Sequence, residues 1–205
     1  MISYNSDNKT YTLKAKQKLP ISMTKSWNFF STPKNLSKIT PGHMNFKILT
    51  DFGKMYEGQI IKYKVSPFPF FRVGWTTKIT SVEKPFSFTD KQTSGPFNLW
   101  EHEHIFEESK DGIYAYDIVN YKLPLGFIGR LFGGKLIKWQ LNRIFEYRKK
   151  MLNKIYYNKL FSIKQIYCKY LIKKNKELYN EILSFKKNDI SKHVSWITIY
   201  QLYNY

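Results

Sequence analysis

Apolar and polar positions alternate with a period of two along most of the first 122 residues, and the period lengthens to that of a helix in only a few places. Tyr11, Leu13 and Ala15 alternate with Thr12, Lys14 and Lys16, which predicts a first strand with one wet face. After Pro20, the residues Met23, Trp27 and Phe30 recur at helical spacing behind Ser22, whose hydroxyl suits a helix N-cap. Thr32-Pro33 then starts a second short helix ending near Ile39. From Asn45 onward the period returns to two, over 46–50, 59–65, 75–82, 86–93, 99–107 and 113–122. Turn residues separate these runs, and Asp111-Gly112 reads as a two-residue hairpin turn. Six successive strands joined in this way predict an antiparallel meander. Ile137, Leu141, Ile144, Arg148 and Leu152 finally share one stripe of a helix running from about Leu131 past Lys150.

Strand, two short helices, six strands and a long helix pack most economically as an α+β domain. One curved seven-stranded antiparallel sheet closes around the C-terminal helix, leaving a hollow between the two layers. Trp75 and Trp139 are expected in the core.

Composition sharpens this picture. A hydrophobic fraction of 42% and an aromatic fraction of 18% can build a core, so general disorder is excluded. All 10 Gly and all 8 Pro lie before residue 151, whereas the rest is rich in Lys, Tyr, Ile and Asn. The expected organisation is therefore a folded domain over 1–152 and a C-terminal extension over 153–205, either helical or poorly ordered. Within the extension, Leu160, Ile163, Tyr167 and Leu171, then Leu178, Ile182 and Phe185, keep helical spacing, and 194–200 could pass for a strand.

The formal charge of +19 attracts phosphates. The lysines are scattered or paired, as in Lys149-Lys150 and Lys186-Lys187, and form no Arg-rich stripe with stacking aromatics. Specific nucleic-acid reading is thereby disfavoured, and weak contact with an anionic membrane surface is left open. The single cysteine, Cys168, allows no internal disulfide and no thiol cluster for zinc. With no run of 18 apolar residues and no signal-peptide core, a cytoplasmic location is expected.

Candidate chemistry concentrates on two strands. Trp100, His102, His104 and Phe106 share one face, and Glu101, Glu103 and Glu107 share the other, which should be wet. With Asp111-Gly112 as the turn, Lys110 faces Ile113, and Tyr121 falls opposite His102, Val119 opposite His104 and Asp117 opposite Phe106. A slip of two residues leaves the same groups inward. His102, His104, Asp117 and Tyr121 so become the ionisable groups aimed at the hollow.

Such a cluster has several readings. It can be a satisfied polar network that fixes sheet to helix. It can anchor the carbonyl or hydroxyl of a bound molecule. It can be catalytic, an imidazole moving a proton next to a carbonyl while Asp117 sets its pKa and Tyr121 holds the oxyanion. Two His at i and i+2 can also share a metal, but with Asp117 as the only third ligand, neither a metal nor any cofactor is expected. Phe68, Phe70 and Phe71 either rim the mouth of the hollow or cap the core. The stretch 129–135 approaches a phosphate loop, but Leu136 stands where Ser or Thr must be, so nucleotide binding is rejected.

The segments Phe88-Thr89-Asp90, Ser94-Gly95-Pro96-Phe97, Trp100-Glu101-His102-Glu103-His104-Ile105-Phe106, Leu123-Pro124-Leu125-Gly126 and Ile144-Phe145-Glu146-Tyr147-Arg148 follow one another in that order. In this the sequence resembles the START-like superfamily, also called SRPBCC or polyketide cyclase/dehydrase-like, and within it the bacterial ligand-binding SRPBCC subgroup. The resemblance covers about residues 14–151. It implies a helix-grip fold and a cavity for a lipid, polyketide or similar apolar molecule, with cyclisation or dehydration in some branches. The leading expectation is a binding protein for a small apolar ligand, held by Trp100, His102, His104, Phe106, Asp117, Val119 and Tyr121 with Phe68, Phe70 and Phe71. The alternatives are a cyclase or dehydratase using His102, His104, Asp117 and Tyr121, and a basic protein of the membrane surface.

Overall fold

The computed structural model describes residues 2–7, 10–50, 53–68, 71–124 and 134–174. The chain divides into two compact units, Met1–Lys159 and Leu160–Tyr205. In the first, the strands are β1 (Ile2–Asp7), β2 (Thr10–Leu19), β3 (Lys47–Ile48), β4 (Ile60–Phe68), β5 (Phe71–Glu83), β6 (Ser87–Ser94), β7 (Leu99–Ser109) and β8 (Gly112–Lys122). They form one antiparallel sheet in the order β1-β2-β8-β7-β6-β5-β4-β3. Helix α1 (Met23–Phe30) and a 3-10 turn over Pro33–Ile39 follow β2, and α2 (Gly134–Lys174) follows β8.

The sheet has eight strands where the pattern predicts seven. The additional β1 pairs along β2 from Ile2↔Ala15 to Asp7↔Thr10. Only Ile2 and Tyr4 supply apolar positions there, too few for a period of two to stand out in a polar terminus. The remaining elements fall where the periodicity puts them. Ser22 caps α1 by accepting a hydrogen bond from the Lys25 amide at 3.4 Å.

The β7–β8 register differs by two residues from the one expected. Ser109 pairs with Gly112, so Lys110-Asp111 makes the turn, Trp100 faces Tyr121, His102 faces Val119 and His104 faces Asp117. Gly112 lies inside the ladder at φ +136°, close against the end of β2. A Cβ there would meet the Leu19 carbonyl oxygen at 2.1 Å. Glycine is required there by that close approach and by the positive φ.

The inner face of the sheet carries two apolar clusters. Leu19, Trp27, Phe88, Phe106, Ile113 and Leu152 build one, and Leu13, Val119, Tyr121, Leu123, Leu141 and Phe145 the other. Helix α2 enters both through one stripe, and each fully buried side chain of this kind stabilises the fold by about 1.5–3 kcal/mol. Trp139, two positions from Ile137 on that helix, points away from the stripe and is 53% exposed, contrary to its expected place in the core. The Arg143 guanidinium covers its ring at 4.8 Å. The β5–β6 register shifts between Thr76 and Thr77 and between Ile79 and Ser81, the kind of irregularity that bends a strand locally.

Among the described residues no helix is long and apolar enough to cross a membrane. Phe70, most of the glycine-rich stretch 129–135 and the tail patterns at 178–185 and 194–200 lie outside the described residues. Phe68 and Phe71 pair with each other at the β4–β5 hairpin, and their side chains also lie outside the description.

Candidate functional site

Alternation along three neighbouring strands brings four polar side chains together on the inner face. β6 contributes Asp90, which pairs with His102 of β7. β7 contributes His102 and His104, and β8 contributes Asp117 opposite His104. Arg148 completes the group from the apolar stripe of α2.

Asp117 Oδ1 is the hub. His102 Nε2, His104 Nδ1 and Arg148 Nη2 each lie 3.0 Å from it. The contact with His102 is an aligned hydrogen bond, whereas His104 Nδ1 is near enough but poorly aligned. On the far side of the imidazoles, Asp90 Oδ2 lies 3.4 Å from His104 Nε2 and 3.9 Å from His102 Nδ1. The two rings are themselves in contact, with centroids 3.8 Å apart, and Phe88 stacks on His104 at 4.2 Å. The Arg148 guanidinium lies over the rings of Phe30 and Phe145, 5.4 and 5.8 Å from their centroids.

Burial and charge divide the roles. Burial disfavours a charged Asp117, but the Arg148 guanidinium and then the two imidazoles overcome it and hold the carboxyl well below the usual carboxylate range. For His102, burial and the neighbouring His104 push the imidazole pKa down despite Asp117. Burial works the same way on His104, yet its contacts with Asp117 and Asp90 outweigh it and the pKa rises. His104 is therefore the imidazole that takes up a proton first. Burial also raises the pKa of Tyr63, helped by the nearby Asp90 and opposed by its hydroxyl contact with Thr77 at 3.5 Å.

A cavity of about 80 Å³ adjoins this cluster. Its walls are mostly apolar, with Phe30, Leu36, Met55, Ile61, Ile79 and Phe88 among them, and Asp90, His104 and Arg148 bring its ionisable groups beside the polar Asn35, Tyr63 and Thr77.

Of the residues expected to bind, His104 reaches the cavity, and His102 and Asp117 stand behind it. Trp100 and Tyr121 belong to a separate aromatic group, where Trp100 meets Trp75 edge-on at 5.2 Å and Tyr121 stacks on Tyr11 at 5.2 Å. Phe106 and Val119 are buried in the two apolar clusters and do not line the cavity.

Sequence reasoning overlooked Asp90 and Arg148 as site residues. Both left a signal. Asp90 lies two residues from Phe88 and so shares its inward face, and Arg148 is a charged residue set in the apolar stripe of α2.

No protein-family model matches this sequence, and no curated protein matches it. Solved structures do. Protein Ms6760 from Mycobacterium smegmatis is 18% identical, with a TM-score of 0.55 over 76% of this chain and 98% of that one. Ginseng major latex-like protein 151 from Panax ginseng is 12% identical, with a TM-score of 0.55 over 73% of this chain and 99% of that one. The chain has the START-like helix-grip fold. A point mutant of the Thalictrum norcoclaurine synthase, bound to a transition-state analogue, shares this helix-grip architecture at 16% identity. Its TM-score is 0.52 over 75% of this chain and 98% of that one. In each comparison nearly the whole of the other protein is matched, over about three quarters of this chain.

Proposed function

We propose that the helix-grip unit binds a small, largely apolar molecule with one polar end, the polar end meeting Asp90, His104 and Arg148. The observation that supports this most is the shape of the cavity chemistry: an apolar wall converging on a few buried, oriented polar groups. Size constrains the guest. Pockets for drug-sized ligands run to about 300–1,000 Å³, so a guest as large as a lipid or polyketide requires side chains such as Phe30, Leu36 and Met55 to move aside. A fluorescent fatty-acid probe titrated into the protein, then displaced by unlabelled apolar acids, tests the reading. Saturable one-site binding that persists at high salt supports it, and no binding above background opposes it. Binding that collapses with salt instead assigns the affinity to lysines such as Lys16, Lys18, Lys149, Lys150 and Lys154, which line an open groove beside β2 and α2.

A second reading, a cyclase or dehydratase, is favoured by one feature: His104 reaches the cavity between two carboxylates, where an imidazole can move a proton at a carbon next to a carbonyl. The norcoclaurine synthase with the same fold is an enzyme by name. His104→Gln then abolishes turnover of an activated substrate, whereas a binding protein turns over no substrate.

A further inference from the structure

We propose that Asp90, His102 and His104 form a binding site for one divalent first-row transition-metal ion of the zinc type. Asp90 Oδ2, His102 Nδ1 and His104 Nε2 all lie within 4.8 Å of one another, and none comes from a loop. Asp90 is cross-strand partner of His102, and His104 is two residues further along the same face, so the sheet itself sets the spacing. Ligands bound to zinc at about 2.0–2.2 Å stand about 3.3 Å apart in a tetrahedron. The separations of 3.4 Å for Asp90 to His104 and 3.9 Å for Asp90 to His102 are close to that value, and the whole set lies within 4.8 Å.

The far nitrogens carry the inference further. His102 Nε2 and His104 Nδ1 both lie 3.0 Å from Asp117 Oδ1. The aligned bond from His102 Nε2–H to Asp117 leaves Nδ1 of that ring with its lone pair directed at Asp90, the arrangement that orients a metal-bound histidine, and His104 Nδ1 lies near the same carboxylate without an aligned bond. Arg148 keeps that outer carboxylate in place from 3.0 Å. Two imidazoles and one carboxylate leave at least one coordination position open, the pattern of ligand-accepting metal centres. Because Asp90 and His104 line the cavity and His102 stands behind them, the open position faces the apolar space. An anionic or carbonyl group on a guest would meet the ion there. The site does not depend on the apolar-ligand reading, since it needs no guest.

The competing arrangement is a plain hydrogen-bonded network of the same residues, which takes up no metal. The test is a zinc titration of the chelator-treated full chain against a chromophoric competitor. One equivalent is expected in the wild type, unchanged in His43→Ala and His193→Ala and lost in Asp90→Asn and His104→Gln. Asp117→Asn should keep one equivalent but bind about 10–100-fold more weakly. Cobalt(II) added to the unmutated protein keeps the test independent of folding defects: paramagnetic shifts should fall on the imidazole signals of His102 and His104. No stoichiometric uptake by the wild type, or cobalt shifts at His43 or His193 instead, overturns the proposal. Fatty-acid binding in the chelator-treated protein reports separately on the apolar cavity.

Discussion

Arg148→Met removes the guanidinium from Asp117 while keeping side-chain length and apolar bulk on α2. Both partners are buried, Arg148 at 7% and Asp117 at 9% exposure, so the carboxylate loses its guanidinium partner with little water to replace it. Breaking a buried ion pair from one side costs about 3–5 kcal/mol. Asp117 retains His102 and His104 at 3.0 Å, which places the expected loss at the lower end, about 3 kcal/mol. For a unit of this size that corresponds to a melting point about 6–12 °C lower. Urea unfolding followed by circular dichroism measures the loss. The double variant Arg148→Met with Asp117→Asn should recover about 1–3 kcal/mol as a coupling term, because the orphaned charge is gone. A loss below about 1 kcal/mol in the single variant, or strict additivity in the double, refutes the reasoning that Asp117 is held charged by Arg148.

Three further outcomes follow from particular residues. The raised pKa of His104 contributes stability that is complete below its ordinary value of 6.5 and is lost as pH climbs through the raised value. The difference in urea midpoint between wild type and His104→Gln should therefore be larger at pH 6 than at pH 9, and a difference independent of pH contradicts this. Leu13→Ala, at a position with 0% exposure between sheet and helix, should cost about 2–5 kcal/mol in the same urea assay. Gly112→Ala should destabilise by at least about 1–3 kcal/mol through its φ of +136° and the Leu19 carbonyl. Gly42→Ala, with nothing within 4 Å of its Cβ position, should be nearly neutral in thermal melts, and equal effects at the two glycines would contradict the close approach of Gly112 to Leu19.

Period-two patterning alone orders the strands, because a half-buried strand writes its faces directly into the sequence. It also places His102, His104 and Asp117 on one face, and a register slip of two residues leaves that face unchanged. What alternation cannot supply is position along the face. Tyr121 shares the direction of Asp117 but stands four residues further on, beside Trp100 and Tyr11, away from the cavity. Asp90 joins the site only through the β6–β7 register, and Arg148 only through the rotation of α2, and both are tertiary facts. β1 escaped notice for a different reason: its sheet-edge position demands few apolar residues.

The most direct measurement is methyl and imidazole NMR of the full chain during titration with 1-anilinonaphthalene-8-sulfonate, a largely apolar probe with a single anionic group. Shifts at Ile61, Ile79 and Met55 together with His104, saturating at one equivalent, are the result expected of a ligand cavity in the grip of sheet and helix. Shifts confined to residues around Lys149, Lys150 and Lys154, or none at all, would contradict it.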